Sequence, residues 1–209
     1  MKTIIKKAND KHALLQAALI LKEGGICAFP TDTVYGLGAV YTNEEAVKKI
    51  FKAKGRDEGK PLSILVADRA QAGLLSDEIT QEAYKLMEAF WPGALTIIVK
   101  KNASVPDTVS AGKDTVGIRM PACEETAQLI RLCKMPLAAP SANISGKRSS
   151  VSFEDVYEDL YGRIDMILDG GCCKGGVSST VADVSAGNVR ILREGEVTKQ
   201  MIDNVLYKN

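Results

Sequence analysis

Histidine is almost missing from this chain of 209 residues, which has only His12. A Ser–His or Cys–His nucleophile pair therefore has no well-placed base. Five cysteines occur (Cys27, Cys123, Cys133, Cys172 and Cys173), with no CxxC spacing. That odd count does not form a disulfide framework, and with one histidine it does not suggest a zinc site. The vicinal Cys172 and Cys173 are read as small residues of a glycine-rich loop. Aromatic residues are 5% and the net charge is +1, poor material for base stacking or a globally basic surface. No run approaches 18 apolar residues, so no membrane span is expected. The start, MKTIIKKANDKH, lacks the apolar core of a signal peptide. Reduced cysteines and no export signal lead us to expect a cytoplasmic protein. GxSxG and GxxxxGK[ST] are absent, and the GLG at 36–38 lacks the third glycine of a dinucleotide fingerprint.

What is present is a well-provisioned core, with 45% apolar and 25% charged residues. Strands are expected at 3–6, 26–29, 62–66, 94–100, 116–119, 137–139 and 164–168. Helices are expected from Asn9 or Asp10 to Glu23, from Thr42 to Gly55, from Ser76 to Phe90, over 124–133 and 152–161, and from Thr198 onward. The first helix places Leu14, Ala18 and Leu21 on one face, with Leu15 and Leu19 beside them. Residues 179–184 and 189–192 read as a hairpin. Alternating strands and helices without a composition break predict an α/β fold. The expectation is a single domain over 1–209, a twisted mixed β-sheet flanked by helices.

Phe29 to Pro61 organises the rest. FPTDTVYGLG leaves Thr31 and Thr33 at a strand's carboxyl end. AKGRDEGKP then puts Lys54, Arg56 and Lys60 on a loop. Gly55 and Gly59 allow close backbone approach, and Arg56 can present a planar fork to phosphate. SANISG offers Ser141 and Asn143 on a loop after a strand, where open α/β sheets bind ligands. Ser149 and Ser150 follow. GGVSSTVADV, with Ser179 and Thr180, suits a cradle of backbone N–H groups for an anion. Arg119 and Arg193 close two strands. Residue by residue, a solvated face, an ordinary turn and plain ion pairs remain open as alternatives.

The ordered set FPTDTVYGLG, KGR…KPL, WPGALT, TVGIRMP, PLAAPSANISG, and STVADV with ILREG resembles the YrdC/Sua5 family of threonylcarbamoyl-AMP synthases, over residues 10 to 197. The resemblance implies a YrdC-like fold of the short type. It also implies a reaction in which L-threonine, bicarbonate and ATP give threonylcarbamoyl-adenylate and pyrophosphate. A partner transferase complex then moves the group to adenosine 37 of tRNA. The family's KxR motif falls on Lys54 and Arg56, expected to be catalytic, and its SxN motif on Ser141 and Asn143. Lys60, Ser149 and Arg193 match further ATP contacts. Thr31 or Thr33, Arg119, Ser179 and Thr180 match the threonine site.

The chemistry is consistent with so few bases. A carbamate oxygen attacking the α-phosphorus is already an anion and needs no proton removed. Its difficulty is charge, so cations and an ATP-borne Mg2+ must offset it. No metal site in the protein is expected. Two rivals stand beside this reading. One is an RNA-binding module using Lys147, Arg148, Lys174 and Arg190; weak tRNA contact is expected even with the enzyme. The other is a carbamoyl-transfer domain of the hydrogenase-maturation type.

Overall fold

The computed structural model describes residues 2–207. Met1, Lys208 and Asn209 of the expected 1–209 domain lie outside the described residues. The strands are β1 (Ile4–Lys7), β2 (Cys27–Phe29), β3 (Gly36–Val40), β4 (Ser63–Leu65), β5 (Leu95–Lys100), β6 (Thr115–Arg119), β7 (Leu137–Ala138), β8 (Met166–Asp169), β9 (Thr180–Asp183) and β10 (Arg190–Arg193). The helices are α1 (Lys11–Lys22), α2 (Glu44–Lys54), α3 (Gln81–Phe90), α4 (Asp107–Ser110), α5 (Glu124–Cys133), α6 (Phe153–Leu160) and α7 (Lys199–Tyr207). The strands form one mixed sheet in the order β1-β8-β2-β3-β7-β4-β6-β5-β9-β10.

Local chemistry sets most boundaries. Asp10 accepts the His12 N–H and starts α1, Asn43 caps α2, and Ser152 with Asp155 forms a capping box on α6. Gly55, left-handed at φ 59°, ends α2. Strand alternation then sorts the core. Cys27, Phe29, Met166 and Leu168 face one way, packed under α1 and α5. Ala28, Ile167, Ile64, Ile97, Ile118 and Ala182 face the other, with α2 and α3.

Some expectations shift. Leu15 and Leu19 are exposed, because the buried stripe of α1 is Ala13, Leu14, Ala17, Ala18 and Leu21. The helix expected from Ser76 begins at Gln81: Ser76 is engaged in its own turn with Glu78, and Thr80 accepts the Ala83 N–H. The segment between β5 and β6 holds the short α4. β3 went unread, since its GLGAV carries no alternation signal and glycine disfavours strands. Its glycines make room for Phe29: a Cβ on Gly38 would lie 2.6 Å from that ring.

The consequence for function lies in coverage. Helices α1 and α5 cover the sheet face over β1, β8, β2, β3 and β7 and reach as far as Leu65 of β4. Over β4, β6, β5 and β9 the same face turns Ser63, Leu65, Thr115, Gly117, Arg119, Thr96, Ile98, Val181 and Asp183 into an open cleft.

Candidate active site

The cleft has a volume of about 690 Å³. Its floor is the uncovered sheet. Its walls are the Thr31–Gly36 turn, Arg56 with Pro61, the Pro140–Ser141 and Ser149 loop, Ser178–Ser179, and the β9–β10 hairpin.

The Thr31–Thr33 turn is fixed by its own hydroxyls. Thr31 Oγ1 donates to Val34 O at 2.6 Å and accepts the N–H groups of Thr33 and Val34. Thr33 Oγ1 lies 3.0 Å from it. Arg119, at the end of β6, reaches this turn from 86 residues away: Nη1 donates to Thr33 Oγ1 at 2.8 Å. Nη2 donates to Asp32 Oδ1 at 2.6 Å and Nε to Gly93 O at 3.0 Å. Burial pushes the Arg119 guanidinium below its usual pKa, and Asp32 opposes that shift.

Arg193 reaches in from β10, with Nε donating to Ser179 O at 2.9 Å. It too is held below the usual guanidinium range, by burial first and then by the charge of Arg119. Arg56 follows the Gly55 turn and donates from Nη2 to Pro61 O at 3.1 Å, while its buried Nε has no acceptor. Among the described residues, neither Arg56 nor Arg193 has a carboxylate within ion-pairing distance. These are cations left over for an anion.

Thr31, Thr33, Arg56, Arg119, Ser141, Ser149, Ser179 and Arg193 thus meet around one cleft. Four other expected site residues do not line it. Lys54 is 2% exposed, and its ammonium donates to the carbonyls of Ser141 and Asn143. Burial first, then Arg56, lowers its pKa to about 8. It lies beneath the SANISG loop rather than facing the cleft, because it falls on the buried stripe of α2. Asn143 turns inward, accepting from Ser141 Oγ and donating to Ile144 O and Lys147 O. Lys60 is exposed, off the cleft. Thr180 is buried, donating to Val197 O at 2.6 Å and accepting from Gly195 N at 2.8 Å. Consecutive residues entering a strand point to opposite faces, so Ser179 and Thr180 cannot both face the cleft.

Asp32 was passed over although it stands between the two threonines. Thr96, whose Oγ1 is 2.8 Å from Ser179 Oγ, was also missed, as were Lys113 and Arg190 at the far mouth. The only available signal for Asp32 was its place in the turn; its partner is distant in sequence. The basic face of the rival RNA-binding reading is weakened by pairing: Lys147 is bonded to Asp159, Arg148 lies by Asp155 and Arg190 by Asp183.

A bare sheet face edged by arginines that have no carboxylate partner among the described residues is, in an α/β protein, a geometry that suits an anion. The Sua5/YciO/YrdC family model, described as "Telomere recombination", matches residues 19–195, and the chain belongs to that family. It is 48% identical to the threonylcarbamoyl-AMP synthase of Pyrococcus abyssi, over 97% of this chain and 59% of that one. It is 46% identical to the Bacillus subtilis protein of the same name, over 95% and 57%. The chain therefore spans under three fifths of the length of these two relatives. Among solved structures, P. abyssi Sua5 complexed with L-threonine superposes with a TM-score of 0.93 at 44% identity, covering 99% of this chain and 60% of that one. E. coli YciO, at 24% identity and a TM-score of 0.82 over 94% and 97%, shares the fold.

Proposed function

We propose that this chain is an L-threonylcarbamoyladenylate synthase, a nucleotidyltransferase supplying the activated group for N6-threonylcarbamoyladenosine in tRNA. The observation that carries the reading is the pair of guanidinium groups, Arg56 and Arg193, that face the cleft without carboxylate partners among the described residues. A triphosphate needs such cations, and an incoming carbamate needs them more. The names of the relatives and the L-threonine complex of the P. abyssi protein support the same reading.

In this reading Arg56, Arg193, Ser141 and Ser149 hold the phosphates of ATP. Arg119, Thr31, Thr33 and Ser179 hold the amino acid. Lys54 and Asn143 act as positioning residues: they shape the loop that carries Ser141 and leave the direct contacts to Arg56. Lys60 meets the triphosphate only if it extends past Arg56, and Thr180 braces the strand that carries Ser179. Among the described residues no cluster of three or more His, Cys, Asp or Glu side chains could hold a metal ion. Mg2+ is assigned to the phosphates of ATP, where it would neutralise charge.

Bicarbonate completes the substrates, and a threonylcarbamoyl transferase complex, with weak tRNA contact, would take the product. No helix among the described residues is long and apolar enough to cross a membrane. A tRNA-modifying role fits a cytoplasmic setting and a single working domain over 1–209. The test is one incubation with ATP, Mg2+, L-threonine and bicarbonate, leaving out each in turn, read by mass spectrometry. Threonylcarbamoyl-adenylate should appear only in the complete mixture. Adenylate formed without bicarbonate, or none formed at all, refutes the assignment.

A further inference from the structure

The loop after β8 runs from Gly170 to Gly176 and packs against the Thr31–Thr33 turn. Gly175 N–H donates to Asp32 O and Gly176 N–H to Thr33 O, both at 2.9 Å. A Cβ on Gly175 would lie 2.8 Å from Asp32 O, so the two backbones meet with no space between them. The other end of the loop is held as firmly. The Tyr35 hydroxyl accepts Gly170 N–H and donates to Gly171 O, both at 2.9 Å. Cys172 bridges to Ser152, and Cys173 N–H donates to Val151 O at 2.8 Å. Two adjacent cysteines therefore stand between two fixed points, with Lys174 alone separating them from Gly175.

The two thiols are not equivalent. Cys172 is exposed, while Cys173 is half-buried against the core. Burial pushes the Cys173 thiol up, opposed by the Thr31 backbone N–H that faces its sulfur. Of the other cysteines, Cys27 and Cys133 are buried, and Cys123 donates to Pro30 O. A dissolved oxidant thus meets Cys172 first, with Cys173 adjacent to resolve the product. The peptide between them is trans. Adjacent Cα atoms then lie about 3.8 Å apart, closer than the roughly 4.4–6.8 Å of ordinary disulfides, so joining the sulfurs must bend the loop. A strained, exposed disulfide of this kind is readily reduced again.

We propose that Cys172 and Cys173 form a reversible redox modification site that loosens the Thr31–Thr33 turn when oxidised. The co-reactant is a hydroperoxide, with hydrogen peroxide the simplest case. The Cys172 sulfur attacks the peroxide; the O–O bond breaks, Cys172 becomes a sulfenic acid and one water leaves. The Cys173 sulfur then attacks the Cys172 sulfur. The S–S bond forms, the S–O bond breaks, and the departing hydroxide takes the Cys173 proton to leave as a second water. Two thiols have lost two electrons to one peroxide, and a dithiol returns them. The bend draws the Cys173 sulfur from Thr31 and pulls Gly175 and Gly176 from the carbonyls they hold. Weaker L-threonine binding in the oxidised state rests on the threonine reading of the cleft; the disulfide and the released N–H groups do not.

The experiment treats native protein with hydrogen peroxide and follows it by intact and peptide mass spectrometry and by amide hydrogen exchange. The expected product has lost two hydrogens, on the peptide that carries both cysteines, and dithiothreitol restores them. Exchange at Gly175 and Gly176 should quicken by about tenfold or more. Cys172→Ser and Cys173→Ser should each show no such loss of hydrogens. Oxygen added stably to Cys172, or a disulfide to another cysteine, would overturn the proposal. So would a vicinal disulfide that leaves exchange at both glycines unchanged. These outcomes are read on native protein, so none depends on a variant folding. Calorimetry adds the link to the cleft: Kd for L-threonine should rise about tenfold on oxidation and recover on reduction. Equal binding by reduced and oxidised protein overturns that link. Reduced protein that binds no L-threonine overturns the threonine reading and leaves the redox site standing.

Discussion

Beneath α1 and α5 the sheet turns out Cys27, Phe29, Met166 and Leu168; on the same face, beyond the reach of those helices, it turns out Ser63, Gly117, Thr115, Thr96 and Asp183. The opposite face is apolar in both regions, with Ile167 and Ala28 behind the first, and Ile64, Ile118, Val116 and Ala182 behind the second. One strand period thus serves two purposes. Where a helix packs, alternation gives apolar residues on both sides; where none does, it gives apolar residues below and a mixture above in which polar residues join Leu65, Ile98 and Val181. The same comparison separates stability from activity, and each half can be tested for it.

The largest effect belongs to the covered half. Phe29 is fully buried between α1 and the glycines of β3. Phe29→Ala should destabilise the fold by about 3–5 kcal/mol through lost burial and the cavity left behind. Denaturant melts would measure this. A loss under about 1 kcal/mol would show that the covered half collapses around the gap.

On the open side the balance reverses. Arg56→Ala removes a guanidinium that has no carboxylate partner among the described residues, so folding loses little. Turnover should fall by about 10²-fold or more, the range for removing a preorganised donor at developing charge. Steady-state pyrophosphate release alongside a thermal melt would report both quantities. A melt that falls as far as that of Phe29→Ala, with turnover intact, would erase the distinction between the halves.

Lys54 belongs to neither half, since it is buried under the loop at the edge of the cleft. Its pKa is lowered from 10.5 to about 8 in the fold, chiefly by burial. Between those values the unfolded chain holds a proton that the folded chain does not. Stability from this group therefore rises as pH rises through about 8 toward 10.5. The neutral amine keeps two N–H groups for the two carbonyls, so the loop stays anchored. Burial raises the pKa of the Tyr35 hydroxyl and of the Cys123 and Cys133 thiols, which works in the other direction. The difference between native protein and Lys54→Met isolates the lysine. It should grow in favour of native protein by about 2 kcal/mol between pH 8 and pH 10. A flat difference would mean that Lys54 keeps an ordinary pKa.

How far the sequence exposes this arrangement depends on the range of the interactions. Caps and stops act within a few residues, and Asp10, Ser152, Gly24 and Gly55 could be read directly. β3 could not, because its residues are chosen to clear Phe29 on the neighbouring strand. The cations of the cleft were legible as residue types, but which of them is free depends on tertiary partners. Lys54 and Arg56 look alike as neighbours in KGR, yet one is taken up by loop carbonyls 87 and 89 residues away. Asp32 shows the same limit from the other side, since only Arg119 gives it a role.

The smallest expected effect is the finest test, because it compares two adjacent residues. Ser179 lies on the cleft, and its hydroxyl meets Thr96 and Arg193. Thr180 faces away, bonded to Val197 O and Gly195 N. Thr180→Val keeps the shape, loses both hydrogen bonds and leaves the buried Val197 carbonyl and the part-buried Gly195 N–H without this partner, which should cost about 1–3 kcal/mol of stability. Because Thr180 touches nothing in the cleft, turnover below the melting range should stay within about twofold. Ser179→Ala should do the reverse, leaving the melt within about 0.5 kcal/mol and raising KM for L-threonine several-fold, since the lost hydroxyl lines the proposed amino-acid subsite. If the two variants change KM alike, β9 does not separate the faces at this point, and the boundary between core and cleft must lie a residue later.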